Sequence, residues 1–350
     1  MATASTTASP APATNLESHC RSIAARARQA AIDLAGVPGE RKAACLRAAA
    51  AAIRADVAEI LAANQLDLAA APGFGLTAAA IDRLTLDPKR VEGIAAGVEA
   101  VALLPDPVGE VIEEATQPSG LVVRKVRVPL GVVFFIYESR PNVTADAAAV
   151  ALAAGNAIIL RGGKEAAHSS GRIVASMRRA IAAAGLPADC VQLVDTPDRE
   201  AVGAFLQMDD LIDIVSPRGG ETLIRRVCAE ARMPVLKHFT GNCHVYVDRA
   251  ADLAMAQAIT VNAKCQRMGV CNAAESLLVH RDVADRFLPD IAAALAAHKV
   301  EIVGDAASTE STTATEILGP RYSVAKSASV AVPAVGTSRR VAASPTISTL

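Results

Sequence analysis

From Asn15 to about Ala100 apolar residues return at three- and four-residue steps: Ile23, Ala27, Ala30 and Leu34, then Leu46, Ala50, Ile53, Val57 and Leu61. That spacing gathers them on one face of successive helices and predicts a helical layer with something to cover. Pro72-Gly73 and Gly75 break the run, and Thr85-Leu-Asp-Pro88 offers a fresh helix start. The period then changes. Gly120 to Val128 partly alternates apolar and basic residues, which predicts a strand with one face open to water or a partner, so residues 120–129 are read as a candidate oligomerisation strand. Val132 to Tyr137 is a continuous apolar run, the mark of a strand buried on both faces of a parallel sheet.

After that run the same unit repeats. A helix is predicted from about Asn142 to Ala154 with a Gly155-Asn156 stop, then a strand Ala157–Leu160, a turn Arg161–Lys164 and a long helix ending at Gly185. A strand Val191–Val194, a helix near Arg199 to Met208, a strand Leu211–Val215 and a helix near Glu221 to Ala231 continue the alternation. Repeated βα units of this size imply an α/β fold with a doubly wound open sheet. Beyond Pro234 come two strand-like pieces, Val235–Phe239 and His244–Val247, a helix from Asp252 to about Lys264, a strand Ser276–Val279 and a helix Val283–Ala297. A second α/β domain is therefore expected over residues 235–305, after a first over 16–234.

Composition narrows the class. The 350 residues are 52% hydrophobic but only 3% aromatic, so the core must be built from Ala, Val, Leu and Ile. A net charge of -1, from 35 basic and 36 acidic residues, argues against a nucleic-acid or anionic-membrane surface as the main partner. No apolar run reaches the length of a membrane span. Residues 1–15 are Ala, Ser, Thr and Pro with little else and read as a disordered tail without the charge of a targeting peptide. The seven cysteines are scattered and include no Cys-x-x-Cys pair, so neither a disulfide framework nor a metal site is indicated and a reducing cytoplasm is expected.

Three turns carry candidate chemistry. The sheet lacks a Gly-x-Gly-x-x-Gly fingerprint. Arg161-Gly162-Gly163-Lys164 instead follows a buried strand and precedes a helix, where glycines permit close backbone approach and the cations supply charge for a phosphate. Ser216-Pro217-Arg218-Gly219-Gly220 repeats the design at another strand end, where ligands of open α/β sheets gather. Either turn alone is also ordinary loop chemistry; the pair points to a dinucleotide. In the third, Cys271 sits between a helix and a strand, with Lys264 and Arg267 close by and Gly269 allowing a tight turn. A thiol so placed can be a nucleophile, although most cysteines are buried and inert.

The stretches Val128-Pro-Leu-Gly-Val-Val, Tyr137-Glu-Ser-Arg-Pro-Asn-Val-Thr144, Gly155 to Glu165, Pro217-Arg-Gly-Gly220, Cys243-His-Val-Tyr-Val-Asp248 and Asn262-Ala-Lys-Cys-Gln-Arg together resemble the gamma-glutamyl phosphate reductase family of the aldehyde dehydrogenase superfamily, over about Asn15 to Asp305. The resemblance implies an aldehyde dehydrogenase-like fold, with a cofactor domain and a catalytic domain. It implies NADPH-dependent reduction of L-glutamate 5-phosphate to the 5-semialdehyde in proline biosynthesis, through a thioester on Cys271. It places Arg161 and Lys164 near the adenosine 2'-phosphate. Asn142 becomes the candidate oxyanion donor beside the Cys271 backbone, with an N-cap as its alternative role. Arg140 and Arg267 become candidates for the substrate's anionic groups. A homo-oligomer and a separate glutamate kinase are the candidate protein partners.

Departures from the family pattern qualify these expectations. Lys237 stands about where aldehyde-oxidising relatives carry a water-activating glutamate, which favours acyl-phosphate chemistry over hydrolytic oxidation. Met268 replaces a common proline. After Glu316 acids vanish and periodicity is lost, so residues 306–350 are expected to be an aberrant, disordered tail produced by a frameshift or truncation, leaving the catalytic domain incomplete. The competing readings are a CoA-acylating or simple aldehyde dehydrogenase of the same fold, and an inactive NADP-binding remnant.

Overall fold

A computed structural model of the chain describes residues 15–238, 241–268, 270–300, 302–304, 330–332 and 334–335. The chain divides into two compact units, Met1–His238 and Phe239–Leu350. The division falls after His238 rather than Pro234 because the intervening chain is tied to the first sheet. Val235 bridges Val215, and the Leu236 N–H donates to the Val215 carbonyl at 2.8 Å.

The first unit opens with five helices, α1 (Asn15–Ala35), α2 (Gly39–Ala55), α3 (Val57–Ala70), α4 (Ala78–Leu84) and α5 (Pro88–Ala102). Ile23, Ala27, Ala30 and Leu34 of α1 are buried, as are Leu46, Ala50 and Ile53 of α2, while Val57 and Leu61 are half-buried. Asp87 caps α5 by accepting from the Arg90 N–H at 2.7 Å, with Pro88 at the first helical position, as the sequence signal predicts. Asn15 already belongs to α1; the rest of the expected N-terminal tail lies outside the described residues.

Next come β1 (Val111–Thr116) and β2 (Val122–Val126), paired antiparallel. Every residue of both strands is exposed, so the expected one-sided strand is half of an exposed two-stranded ribbon. Its partner β1 was not predictable from periodicity, since Glu113 and Glu114 interrupt the alternation.

The main sheet is parallel, in the order β5-β4-β3-β6, with β3 (Val132–Ile136), β4 (Ala157–Arg161), β5 (Val191–Leu193) and β6 (Ile214–Pro217). Between them run α6 (Pro141–Ala153), α7 (Ala167–Ala183) and α8 (Glu200–Leu206), and α9 (Glu221–Glu230) follows β6. The walk from β3 to β5 reverses when the chain returns to β6 on the far side of β3, so right-handed crossovers place α6 and α7 on one face and α8 on the other. Helices α2, α3 and α5 pack over α6 and α7, and α1 packs beside α8. At the end of α6, Gly155 adopts φ +74° and lets the Asn156 N–H reach back to the Ala151 carbonyl at 2.8 Å.

The strand expected over Leu211–Val215 starts later, at Ile214, because the Leu211 and Ile212 N–H groups are spent on the Met208 carbonyl in a closing turn. Asp213 then accepts from the Val132 N–H at 2.7 Å and pairs with Arg28 at 2.9 Å, which fixes the entry to β3 and β6 together. The strand expected over Val235–Phe239 reduces to the single bridge at Val235; Phe239 lies outside the described residues.

The second unit holds β7 (Cys243–Val247), α10 (Leu253–Cys265), β8 (Ala274–His280), α11 (Arg281–Ala297), β9 (Ile302–Gly304), β10 (Val330–Val332) and β11 (Ala334–Val335). Strand β8 pairs with β7, β10 and β11, and β10 pairs with β9, all parallel. Val247, Leu277, Val279, Phe287 and Ile291 centre its core. The tail expected to be disordered thus contributes two short strands. Its residues 306–329 and 336–350, Glu316 among them, lie outside the described residues.

Candidate active site

In a parallel sheet all strands deliver their carboxyl ends to one edge. Ile136 stands in register with Arg161 of β4 and Pro217 of β6, so the two glycine turns flank the exit of β3 on either side. The crevice of such a sheet opens where strand order reverses, here between β3 and β6. The Arg218 N–H donates to the Ile136 carbonyl at 2.7 Å and holds the second turn against it.

The turns differ in what fills them. After β4, Arg161 is half-buried and directs its guanidinium to the carbonyls of Gly162, Pro197 (3.0 Å) and Asp198 (3.4 Å). Its Nε is buried without a hydrogen-bond partner among the described residues, and burial draws the guanidinium below its ordinary pKa. A Cβ on Gly162 would meet the Tyr137 ring at 3.0 Å; on Gly163 it would run into the Ser139 hydroxyl and the Glu165 carboxylate, which hydrogen-bond each other. Lys164 is exposed and rests its ammonium 4.7 Å from the Phe74 ring centre.

After β6, Ser216 is buried with its hydroxyl on the Leu236 carbonyl at 3.4 Å, and Pro217 is buried as well. Arg218 is exposed, and Gly219 lies against Leu223. Gly220, at the N-terminal flank of α9, has open space where its Cβ would be. Its φ is -65° and that of Gly163 is also -65°, so neither glycine is required by backbone conformation. At Gly163 the protein occupies the side-chain volume. At Gly220 none of the described residues does, and a helix N-terminus lies beside it, which fits a phosphate-bearing cofactor.

The residues assigned around the substrate follow β3. Arg140 is half-buried and flanks α6 at its N-terminus, the position offered as Asn142's alternative role. Asn142 is therefore not the N-cap but the second helical residue. It is exposed and donates from Nδ2 to Asp146 at 3.1 Å, and burial raises the Asp146 carboxyl despite that bond.

In the second unit Cys271 is exposed, in a turn closed by the Ala273 N–H on the Val270 carbonyl at 3.3 Å, immediately before β8. Cys228 is exposed as well, and the contrast is with the buried thiols. Cys20, Cys45 and Cys190 are buried, and desolvation pushes Cys45 up to about 11 and Cys190 up to about 12. Cys265 ends α10, half-buried and raised by burial. Arg267 is exposed; Gly269 lies outside the described residues. Two features escaped the sequence reading. Lys264 is fully buried in the last turn of α10, and its Nζ has no hydrogen-bond partner among the described residues; burial lowers its ammonium. Cys243, at the start of β7, donates its thiol proton to the Cys271 carbonyl at 3.6 Å. Nothing in residue spacing signals either, since both depend on how α10 and β7 lie against β8.

A model described as the aldehyde dehydrogenase family matches residues 3–317. That sets the class: an oxidoreductase whose fold binds a nicotinamide cofactor. Among curated proteins, the gamma-glutamyl phosphate reductase of Rhodopirellula baltica is 53% identical over 338 residues, covering 93% of this chain and 78% of that protein. That of Rhizorhabdus wittichii is 57% identical over 284 residues, covering 81% of this chain and 66% of the relative. The crystal structure of the Thermotoga maritima gamma-glutamyl phosphate reductase superposes with TM-score 0.79 at 36% identity, over 90% of this chain and 77% of that one. The Saccharomyces cerevisiae enzyme gives 0.58 at 31% identity, over 90% and 80%. The chain belongs to the aldehyde dehydrogenase family and, within it, to the gamma-glutamyl phosphate reductases.

Proposed function

We propose that the chain reduces L-glutamate 5-phosphate to L-glutamate 5-semialdehyde with NADPH, releasing phosphate, through a thioester on Cys271. The observation that carries this reading is the exposed Cys271 thiol in its turn before β8, set against the buried, proton-retaining thiols of Cys20, Cys45 and Cys190. The Cys271 thiolate attacks the acyl carbon, the C–O bond to phosphate breaks, and the carbonyl re-forms as a thioester; after reduction the thiohemiacetal releases the aldehyde and the free thiol. The bound dinucleotide supplies the hydride. Asn142 has a second amide N–H beyond the one given to Asp146, which suits it to an acyl oxyanion. Arg140 and Arg267 supply charge for the substrate's anionic groups.

The cofactor's pyrophosphate is assigned to Gly219-Gly220 and the start of α9, with Arg218 as its counter-charge. Lys164, exposed beyond β4, is assigned to the adenosine 2'-phosphate, with Arg161 holding the Gly162, Pro197 and Asp198 carbonyls around it. The two-stranded ribbon of β1 and β2 exposes Val111, Ile112, Val122, Val123 and Val126, and a second copy of the chain is its proposed partner. A glutamate kinase remains the proposed supplier of the acyl phosphate, and the cytoplasm the proposed site of action. No described helix is long and apolar enough to cross a membrane.

The test runs the reaction backwards. NADP reduction by glutamate 5-semialdehyde is expected to require inorganic phosphate. A requirement for coenzyme A, or for neither, would transfer the assignment to an acylating or a simple aldehyde dehydrogenase; NADPH binding without turnover would mark a remnant.

A further inference from the structure

The Cys243 thiol, half-buried at the head of β7, points at the backbone of Cys271 itself: its sulfur lies 3.6 Å from the Cys271 carbonyl oxygen. That oxygen is three bonds from the Cβ of its own residue, so the two side chains spring from adjoining backbone. The neighbourhood is fixed by more than one tie. Cys243 is in register with Ala274 across the parallel pair, and the Ser276 hydroxyl of β8 donates to the Asn242 side chain at 2.9 Å. A disulfide asks for Cβ atoms about 3.5–4.5 Å apart, and the sulfur-to-carbonyl contact sets Cys243 beside the backbone from which the Cys271 side chain springs.

We propose that Cys243 is a resolving thiol: peroxide oxidises Cys271, and Cys243 captures the product as a reversible Cys243–Cys271 disulfide. The inference rests on Cys271 being the reactive thiol of the proposed reaction. In the first step the Cys271 thiolate attacks hydrogen peroxide; an S–O bond forms, the O–O bond breaks, hydroxide leaves, and sulfur is oxidised to sulfenic acid. In the second the Cys243 sulfur attacks the sulfenic sulfur; the S–S bond forms, the S–O bond breaks, and the thiol proton leaves with the hydroxyl as water. Two thiols and one peroxide thus give one disulfide and two waters. Trapping the sulfenic acid in this way shields Cys271 from the irreversible sulfinic state, and a dithiol restores it. Cys271 is exposed and open to peroxide, whereas Cys20, Cys45 and Cys190 are buried.

The experiment exposes the reduced full chain to hydrogen peroxide and maps its thiols by mass spectrometry of a non-reducing digest. The expected product is a peptide pair joined through Cys243 and Cys271, lost on treatment with dithiothreitol. In Cys243→Ser that pair is absent and Cys271 accumulates as the dimedone-trapped sulfenic acid and then as sulfinic acid. A wild-type chain whose Cys271 reaches the sulfinic state while Cys243 stays free, or pairs with Cys265 instead, overturns the proposal; the wild-type map alone decides this if the variant does not fold. Iodoacetamide labelling of the reduced chain separates the two readings. Cys271 labelling faster than the exposed Cys228, with no Cys243 linkage, sinks only the resolving thiol; labelling no faster than Cys228 sinks the reactive Cys271 as well.

Discussion

The turn after β4 and the turn after β6 look alike as strings of residues, each a basic residue beside two glycines, yet they solve different problems. Gly163 is small because Ser139 and Glu165 occupy the space its side chain would need, and Arg161 beside it is drawn onto neighbouring carbonyls. Gly220 is small although no atom of the described residues lies within reach, and Arg218 remains exposed. A glycine explained by packing says little about ligands. One that packing leaves unexplained, at a strand's carboxyl end and a helix's N-terminal flank, is the stronger pointer to a bound phosphate.

The largest effect expected from probing this contrast is on the fold. Gly163→Ala forces Ser139 or Glu165 to move and is predicted to destabilise the chain by about 1–3 kcal/mol, read by chemical denaturation. Equal stability to the wild type would remove the packing explanation. Gly220→Ala should change stability by less than about 1 kcal/mol, because Ala is the poorer N-cap but narrows the unfolded chain at a backbone conformation it can adopt. The same substitution should weaken NADPH binding by roughly tenfold, about 1.4 kcal/mol, measured by fluorescence titration. Lys164→Met gives the smallest change: loss of the contact with Phe74 costs about 0.5–1 kcal/mol of stability. If the ammonium also meets the 2'-phosphate, affinity for NADPH falls while that for NADH does not.

Much of the first sheet was legible because a parallel strand covered on both faces is a continuous apolar run, and β3 and β4 are such runs. The helical layer was legible from its period and from the Asp87-Pro88 start. Strand β1 was not, since paired glutamates hide a ribbon that has no buried face to impose alternation. Nor could β6 be bounded, because the turn that delays it is set by backbone bonds to Met208 and by Asp213 reaching Val132 and Arg28. At the site, the residue types were readable and their employment was not. Arg161 on its carbonyls, Asn142 on Asp146 and Cys243 against Cys271 are products of tertiary placement. Cys271 itself was singled out by its place between a helix and a strand, and by resemblance to the family.

The central claim is that one of the seven cysteines, Cys271, carries the acyl group. Phosphate-dependent NADP reduction by glutamate 5-semialdehyde, compared among the wild type, Cys271→Ser and Cys265→Ser, addresses it directly. The account predicts that Cys271→Ser falls to background while Cys265→Ser keeps most of the wild-type rate. Equal loss in the two variants, or turnover surviving in Cys271→Ser, would contradict it.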